Sequence, residues 1–565
     1  MINFLIKLNT NNCNGFPEYQ FIKFPKNIKN FSEGKNSLIL FGDPIFPSNK
    51  FKDKIAEWDV EILLSSIKGH FYFLKLDPIN NNFSAGTSMF NILPLYYYEG
   101  KSEILISSNP RYIASLLPDV SINKRFILEN ILFNYQIFNQ SCFKDISLLP
   151  ANHFLLLHNN KISLIQHTAI ESYFVRRPIP WRQAVDDLSD LFIESSKYYF
   201  PNETYITSLT GGFDGRTLVS CGLHEGKDFS TYCFGKEGSD DIIIARNLSK
   251  NAGLYFENIS LDDNYIQNES LSNGLEFING SNGGAGFARA HYLYSAKQLA
   301  GKYKFLLTGN FGSELFRTAH IAGIVISQNL YNLFTAYNYG SAIESIASSK
   351  EFEWLNKINF KFEWEELKED IRNLPCFHPH YGGLTKIEQF YKIVFEEVLR
   401  KYFGAEMINQ YNYIINRTPY LDFEFITNIL KTELAGVYSD FLTHNPIKRF
   451  KGQVLYAHII KKTFLSYSEE MTDKGYTPKD LLNLQGKVKI TGSFISKRIR
   501  KRFISPPDPF SVRAAFSFNK DFWENLLITP EIFNKQKIKQ NIELGNDKNS
   551  LFIALSQVWF YNHIR

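Results

Sequence analysis

Thr207-Ser-Leu-Thr-Gly-Gly-Phe-Asp-Gly-Arg-Thr217 is the stretch on which the reading of this 565-residue chain turns. The apolar-leaning run Tyr205 to Leu209 reads as a short strand that enters Gly211-Gly212, with a helix expected after Asp214. Two adjacent glycines let backbone N–H groups turn toward one point as an anion nest, and the helix N-terminus adds partial positive charge. An acidic residue is out of place in such a loop unless a cation accompanies the anion, so Asp214 is expected to hold Mg²⁺ bridging phosphates. No Gly-Lys-Ser/Thr follows, which excludes a Walker A loop. A Thr-Gly-Gly-x-Asp string alone is as readily an ordinary turn, so the surrounding chain has to decide.

Outward from this stretch, strand-like runs and helical patterns alternate: Thr204–Thr210, Arg216–His224, Phe229–Phe234, Asp241–Asn251, Leu254–Ser260, Ala288–Ala300 and Lys304–Thr308. That alternation predicts an α/β unit, a parallel sheet with crossover helices. A helix over Trp181 to Tyr198, with Ala184, Leu188, Leu191 and Phe192 on one face, leads into it. From about Ala319 the chain reads as a helical extension, with candidates Tyr331–Ser349, Lys386–Tyr402, Phe423–Lys431, Gln453–Phe464 and Leu551–Ile564. Before residue 170 the pattern differs. Short strands such as Ser37–Phe41, Gly69–Leu76, Leu95–Tyr98 and Ile104–Ser108 are separated by turn residues, and His153–Leu157 pairs with Lys161–Gln166 around Asn159-Asn160. This predicts an α+β layered sandwich over 1–168, followed by the α/β unit and its helical extension over 169–565.

The bulk properties exclude several classes. A net charge of +5 over 565 residues gives no argument for nucleic-acid or membrane binding. The abundance of Phe and Tyr reads as compositional bias and not as a stacking function. Cys13, Cys142, Cys221, Cys233 and Cys376 form no CxxC pair and read as reduced thiols. The opening Met-Ile-Asn-Phe-Leu-Ile-Lys-Leu reads as a first strand and not as a signal peptide. No run approaches 18 apolar residues; the nearest, Ile321 to Ile326, is broken by Gln328 and Asn329. A cytoplasmic protein is expected. The basic run Lys497 to Lys501 before Pro506-Pro507 reads as a solvated loop face.

Four ordered segments carry a family resemblance. Thr207–Thr217 resembles the Ser-Gly-Gly-x-Asp-Ser pyrophosphate loop of the asparagine synthase family. Thr231-Tyr-Cys-Phe-Gly-Lys-Glu-Gly-Ser-Asp-Asp241 is similar to that family's second strand and Asp-rich turn. Phe305-Leu-Leu-Thr-Gly-Asn-Phe-Gly-Ser-Glu-Leu-Phe316 is similar to its Ser-Gly-x-Gly-x-Asp-Glu-Leu-Phe segment, and Asn416-Arg-Thr-Pro-Tyr-Leu-Asp-Phe423 to its Arg-x-Pro-Phe-Leu-Asp segment. More weakly, Phe71–Asp77, Asn91–Tyr97, Ser107-Ser108 and Ile146–His153 follow the order of the glutamine amidotransferase domain that precedes the synthetase. The resemblance implies an Ntn-hydrolase-like sandwich in front of an adenine nucleotide alpha hydrolase-like domain. It also implies ATP and Mg²⁺, and an acyl-adenylate made from a carboxylate and then passed to ammonia or an amine. Active amidotransferase domains use a cysteine that becomes residue 1. Position 2 here is Ile2, so a degenerate domain without glutaminase activity is expected.

Residue by residue, the resemblance assigns ATP and pyrophosphate contacts to Leu209, Thr210, Gly211, Gly212, Asp214, Gly215, Arg216, Thr308 and Gly309, with backbone contacts to adenine at Phe234. Catalysis falls to Asp214, Glu314 and Lys451, and Mg²⁺ to Asp214 and Glu314. Several positions depart from the family. Gly215 replaces a serine and removes a hydroxyl; Arg216 either supplies a charge-assisted contact instead or is a surface residue. Ser313 stands where the family has its metal-binding aspartate, and Asn310 where an acidic residue is common. Ala457 stands in the place of the pyrophosphate lysine, for which Lys451, then no equivalent, then Lys461 are the options. His291 reads as a packed helix histidine, and His378 and His380 lack a second ligand pair for zinc. The expected partners are a small-molecule or peptide carboxylate and an amine donor, with no nucleic acid or membrane and a homodimer left open. Two alternatives stay beside the ligase: a peptide or small-molecule cyclase (lasso-peptide or β-lactam synthetase-like), and a nucleotide-binding pseudoenzyme acting through protein contacts.

Overall fold

A computed structural model describes residues 3–9, 18–48, 54–159, 161–316, 325–438, 446–500 and 508–564, without the side chains of 446–451 and 494–500. Ile2, Cys13, Asn160, 321–324, Lys501 and Pro506-Pro507, together with the side chains of Lys451 and of 497–500, therefore lie outside the described residues.

Three sheets organise the chain. Alternating short strands give two antiparallel sheets in the front of the molecule. The first has Glu18–Lys23 (β2), Leu5–Asn9 (β1), Glu103–Ser107 (β8), Tyr96–Glu99 (β7) and Ser147–Leu148 (β9) in that spatial order. The second has Lys161–Gln166 (β11), His153–His158 (β10), Asn82–Thr87 (β6), Phe71–Asp77 (β5), Asn36–Gly42 (β4) and Lys29–Glu33 (β3). They meet face to face: Phe4, at the start of β1, packs edge-on against Phe41 of β4 at 4.7 Å and Tyr72 of β5 at 5.0 Å. The run Leu38 to Phe41 is buried at every position, as it must be in a strand covered on both faces.

The third sheet is parallel throughout, in the order Phe256–Ser260 (β14), Ser230–Gly235 (β13), Tyr205–Ser208 (β12), Phe305–Leu307 (β15) and Ile415–Arg417 (β16). The chain starts at the centre with β12, runs outward through β13 and β14, and returns to the other side of β12 with β15. That reversal sets the loops that follow β12 and β15 side by side at a topological switch point, the place where open α/β sheets bind ligands. The helices Asp214–His224 and Asp240–Asn251 supply the first two crossovers.

The helical extension differs from expectation in several places; the helix expected over Gln453–Phe464 begins at Pro446, and Leu484–Arg500 is helical where 497–501 read as a loop face. Tyr331–Ser349 divides into Gln328–Thr335 and Tyr339–Ala347, because Ala336 is extended and Asn338 forms a capping box with Ser341. Lys386 begins a longer rod, in which Lys386–Ile393, a π-helical stretch Val394–Phe403 and Gly404–Gln410 follow without interruption.

One apolar core runs continuously from the antiparallel sheets into the parallel sheet and the helices. Buried ion pairs cross the same border. Arg417 grips Asp43 bidentately, at 2.7 and 2.9 Å, and Lys68 pairs with Asp422. Both partners on the parallel-sheet side come from the Asn416–Phe423 segment. Pairs desolvated this deeply add little net stability, but the bidentate geometry fixes the relative orientation of the two parts.

Candidate active site

The site is built from the loop after β12. Leu209 N–H donates to Tyr232 O at 2.9 Å, which ends β12 beside β13, and the helix opens at Asp214. Gly215 is fixed by space: a Cβ there would lie 2.3 Å from Ser208 O, so this backbone admits no serine at that position. Its absent hydroxyl is a consequence of strand–helix packing.

Asp214 is the convergence point. Its carboxylate accepts hydrogen bonds from Ser313 Oγ at 2.9 Å and from Tyr456 Oη, and its carbonyl accepts from Tyr420 Oη at 3.0 Å. Gly309 and Gly312, on the loop after β15, press against it. Added Cβ atoms would come within 2.6 Å of Asp214 Cβ and 2.7 Å of Asp214 Oδ1 respectively. Three of the four resemblance segments thus meet at one residue, Asp214. Thr308 is held by Asn416 Oδ1 at 2.9 Å, and Phe311 takes a left-handed φ of 74°.

The nest geometry is corrected. Neither Gly211 nor Gly212 has a positive φ, and both amides are engaged: Gly211 N–H donates to Asp241 Oδ1 at 2.9 Å, and Gly212 N–H to Thr210 Oγ1 at 3.2 Å. The loop satisfies its own donors with side-chain oxygens, and one of them belongs to a carboxyl whose pKa burial raises. The outer side is open, since a Cβ on Gly212 would meet only Thr210 Oγ1, at 3.4 Å.

Arg216 is corrected as well. It is fully buried and donates to three carbonyls, Tyr467 O at 3.2 Å, Glu470 O at 2.7 Å and Met471 O at 2.8 Å. Its guanidinium points away from the loop, and desolvation pulls its pKa down to about 10. It is neither a phosphate ligand nor a surface residue; it pins the segment 467–471 beneath the helix.

That segment delivers residues the sequence reading missed. Asp473 N–H donates to Gly211 O at 3.0 Å, and Lys474 lies over the Phe213 ring at 5.7 Å and pairs with Asp473 at 2.9 Å. Gly475 turns the chain with φ +82°, and Thr472 closes the turn on Tyr476 O. The signal available in sequence was a Thr-Asp-Lys-Gly turn carrying a cation. Of the lysines considered earlier, Lys451 lies outside the described side chains and Lys461 is exposed. Ala457 is buried beside Tyr456, which occupies the helix face toward Asp214.

Glu314 follows Ser313 in the same turn, and its carbonyl accepts from Tyr391 Oη at 3.2 Å. Among the described residues no group of three His, Cys, Asp or Glu side chains gathers to hold a metal. At the end of β13, Phe234 sits in an aromatic cluster with His291 at 5.2 Å, Tyr292 at 5.4 Å and Phe510 at 5.8 Å. His291 is buried with both ring nitrogens unpartnered, and burial lowers its pKa to about 3. Cys142, Cys221 and Cys233 are buried free thiols, Cys376 is a partly buried one, and burial raises all four pKa values. No helix among the described residues is long and apolar enough to cross a membrane.

No protein-family model matches this chain, and no curated protein matches it. Among solved structures, the glutamine phosphoribosylpyrophosphate amidotransferase from B. subtilis, complexed with ADP and GMP, is similar at 8% identity and a TM-score of 0.18. The similarity covers 45% of this chain and 59% of that chain. A likeness of that size carries no argument about fold or activity.

Proposed function

We propose that the chain is an ATP-dependent amide-forming ligase of the asparagine synthase type, with its reaction centre at Asp214. The observation that carries this reading is the position of Asp214. It opens a helix at the switch point of a parallel sheet, beside an open glycine turn, with the loop after β15 pressed onto it. In this reading the phosphates lie along Gly212 and the N-terminus of Asp214–His224, displacing the Thr210 hydroxyl from the Gly212 amide, while Lys474 leaves Asp473 for the phosphate charge. Mg²⁺ suits a site with one carboxylate when phosphate oxygens and water complete its shell, so Asp214 would hold it and Glu314 is not needed as a direct ligand. The ion would neutralise charge developing on pyrophosphate. The Ser313 and Tyr456 hydroxyls orient the Asp214 carboxylate.

The test is pyrophosphate release from ATP and Mg²⁺ with aspartate alone, aspartate plus ammonia, and aspartate plus glutamine. Release that needs aspartate and ammonia and is lost in Asp214→Ala supports the reading. Equal support by glutamine overturns the degenerate front domain, and no release with any carboxylate tried overturns the ligase. A second reading, a nucleotide-binding protein without turnover, is favoured by the loop amides and the Asp214 carboxylate all having internal partners. Mg·ATP binding without pyrophosphate release would select it.

A further inference from the structure

We propose that the rod Lys386–Gln410 is a brace through which the antiparallel sheets set the geometry of the Asp214 site, with Phe403 and Tyr391 as positioning residues. One side of the rod is fastened to the front of the molecule. Arg400 donates to Leu149 O at 2.9 Å, Lys401 donates to Phe138 O, and Phe395 packs on Phe90 at 6.2 Å. The approach is close: a Cβ on Gly404 would lie 3.0 Å from Ile92 O. The other side holds the loop after β15 at two points. Phe403 packs against Phe311 at 4.7 Å, and Tyr391 Oη donates to Glu314 O at 3.2 Å.

Two features show that this contact is imposed on the loop. Phe311 has φ 74°, a conformation an aromatic residue keeps only where packing over-determines it, and its ring is fully buried against the rod. The ten-residue π-helical stretch Val394–Phe403 is itself a wide, uncommon helix that persists where its surroundings hold it, and Phe403 is its last residue. The clamped loop then presents Ser313 to Asp214 and brings Gly309 and Gly312 against it. The functional meaning of the brace rests on the reading of Asp214 as the reaction centre; its test does not require turnover.

Hydrogen exchange of the full chain, followed by mass spectrometry, compares the peptide over 308–316 with control peptides in β5–β6 and β12. In Tyr391→Phe the loop amides are expected to exchange about fivefold faster, the factor one hydrogen bond of ordinary net strength supplies, while both controls stay at the parent rate. In Arg400→Gln, whose side chain bonds Leu149, Asn139, Glu396 and Glu397, the same peptide is expected to accelerate again. Phe395→Leu replaces this variant should it fail to fold. Parent-rate exchange over 308–316 in either variant, or an acceleration spread evenly over the controls, overturns the brace whatever the assay of pyrophosphate release returns.

Discussion

At the scale of single residues, the chemistry concentrates on groups whose partners are hydrogen-bonding oxygens. Asp214 is oriented by two hydroxyls and braced by two glycines. If it carries Mg²⁺, Asp214→Asn abolishes Mg²⁺-dependent ATP binding by calorimetry, and Lys474→Ala weakens that binding by about tenfold, the loss of one charge-assisted contact. Binding undiminished in both places the nucleotide elsewhere. Arg216 gives the opposite expectation. Arg216→Met strands three carbonyls and is expected to cost about 2–4 kcal/mol, read as a lower melting temperature, while ligand affinity per folded molecule is kept. A serine at position 215 is expected to fail for steric reasons. Gly215→Ser drives a side chain into Ser208 O and costs about 1–3 kcal/mol, measured by chemical denaturation.

At the scale of elements, the Asn416–Phe423 segment does two jobs. Its first residues form β16 and complete the parallel sheet, and its charged residues close on the antiparallel sheets. Arg417 pairs with Asp43 through two parallel bonds, a geometry lysine cannot reproduce. Arg417→Lys is therefore expected to destabilise the protein by about 2–3 kcal/mol, with a double-mutant cycle against Asp43→Asn returning coupling of the same order. Independent effects of the two substitutions would remove the clamp from the account. The helix elements were legible where an apolar face repeats over three turns, as in Trp181–Ser196 with Ala184, Leu188 and Phe192 buried. They were not legible at Ala336–Asn338, where a cap chosen by the local backbone divides one pattern into two helices.

At the scale of the molecule, two buried histidines, His70 and His291, and the partly buried His167 set an acid limit. Burial lowers His70 and His167 to about 4 and His291 to about 3, from an ordinary 6.5. Each is neutral when folded and takes a proton more readily when unfolded. Its share of stability is complete above pH 6.5 and is lost as pH falls toward the folded value, by a few kcal/mol at most for each, and most for His291. The expected outcome is a steep fall in melting temperature between pH 6.5 and 4, with a shallower slope in His291→Phe. A flat profile across that window would show that these side chains are solvated.

The sequence by itself determined the succession of strands and helices, because periodicity and turn chemistry act over a few residues: β12 entering Gly211-Gly212, the helix at Asp214, and β13, β14 and β15 between their crossovers. It also marked Asp214, since an acid beside two glycines is a local anomaly. What only the tertiary structure decided is everything that depends on approach between distant segments. Arg216 lies one turn from the loop in sequence, yet it serves carbonyls 251 to 255 residues away. Lys474 reaches the loop because Asp473 hydrogen-bonds Gly211, and β16, three residues long, exists only because β15 offers it an edge. Burial, the closeness of a Cβ and the pairing of charges are properties of space, and a linear pattern carries them only where chain neighbours are also neighbours in the fold.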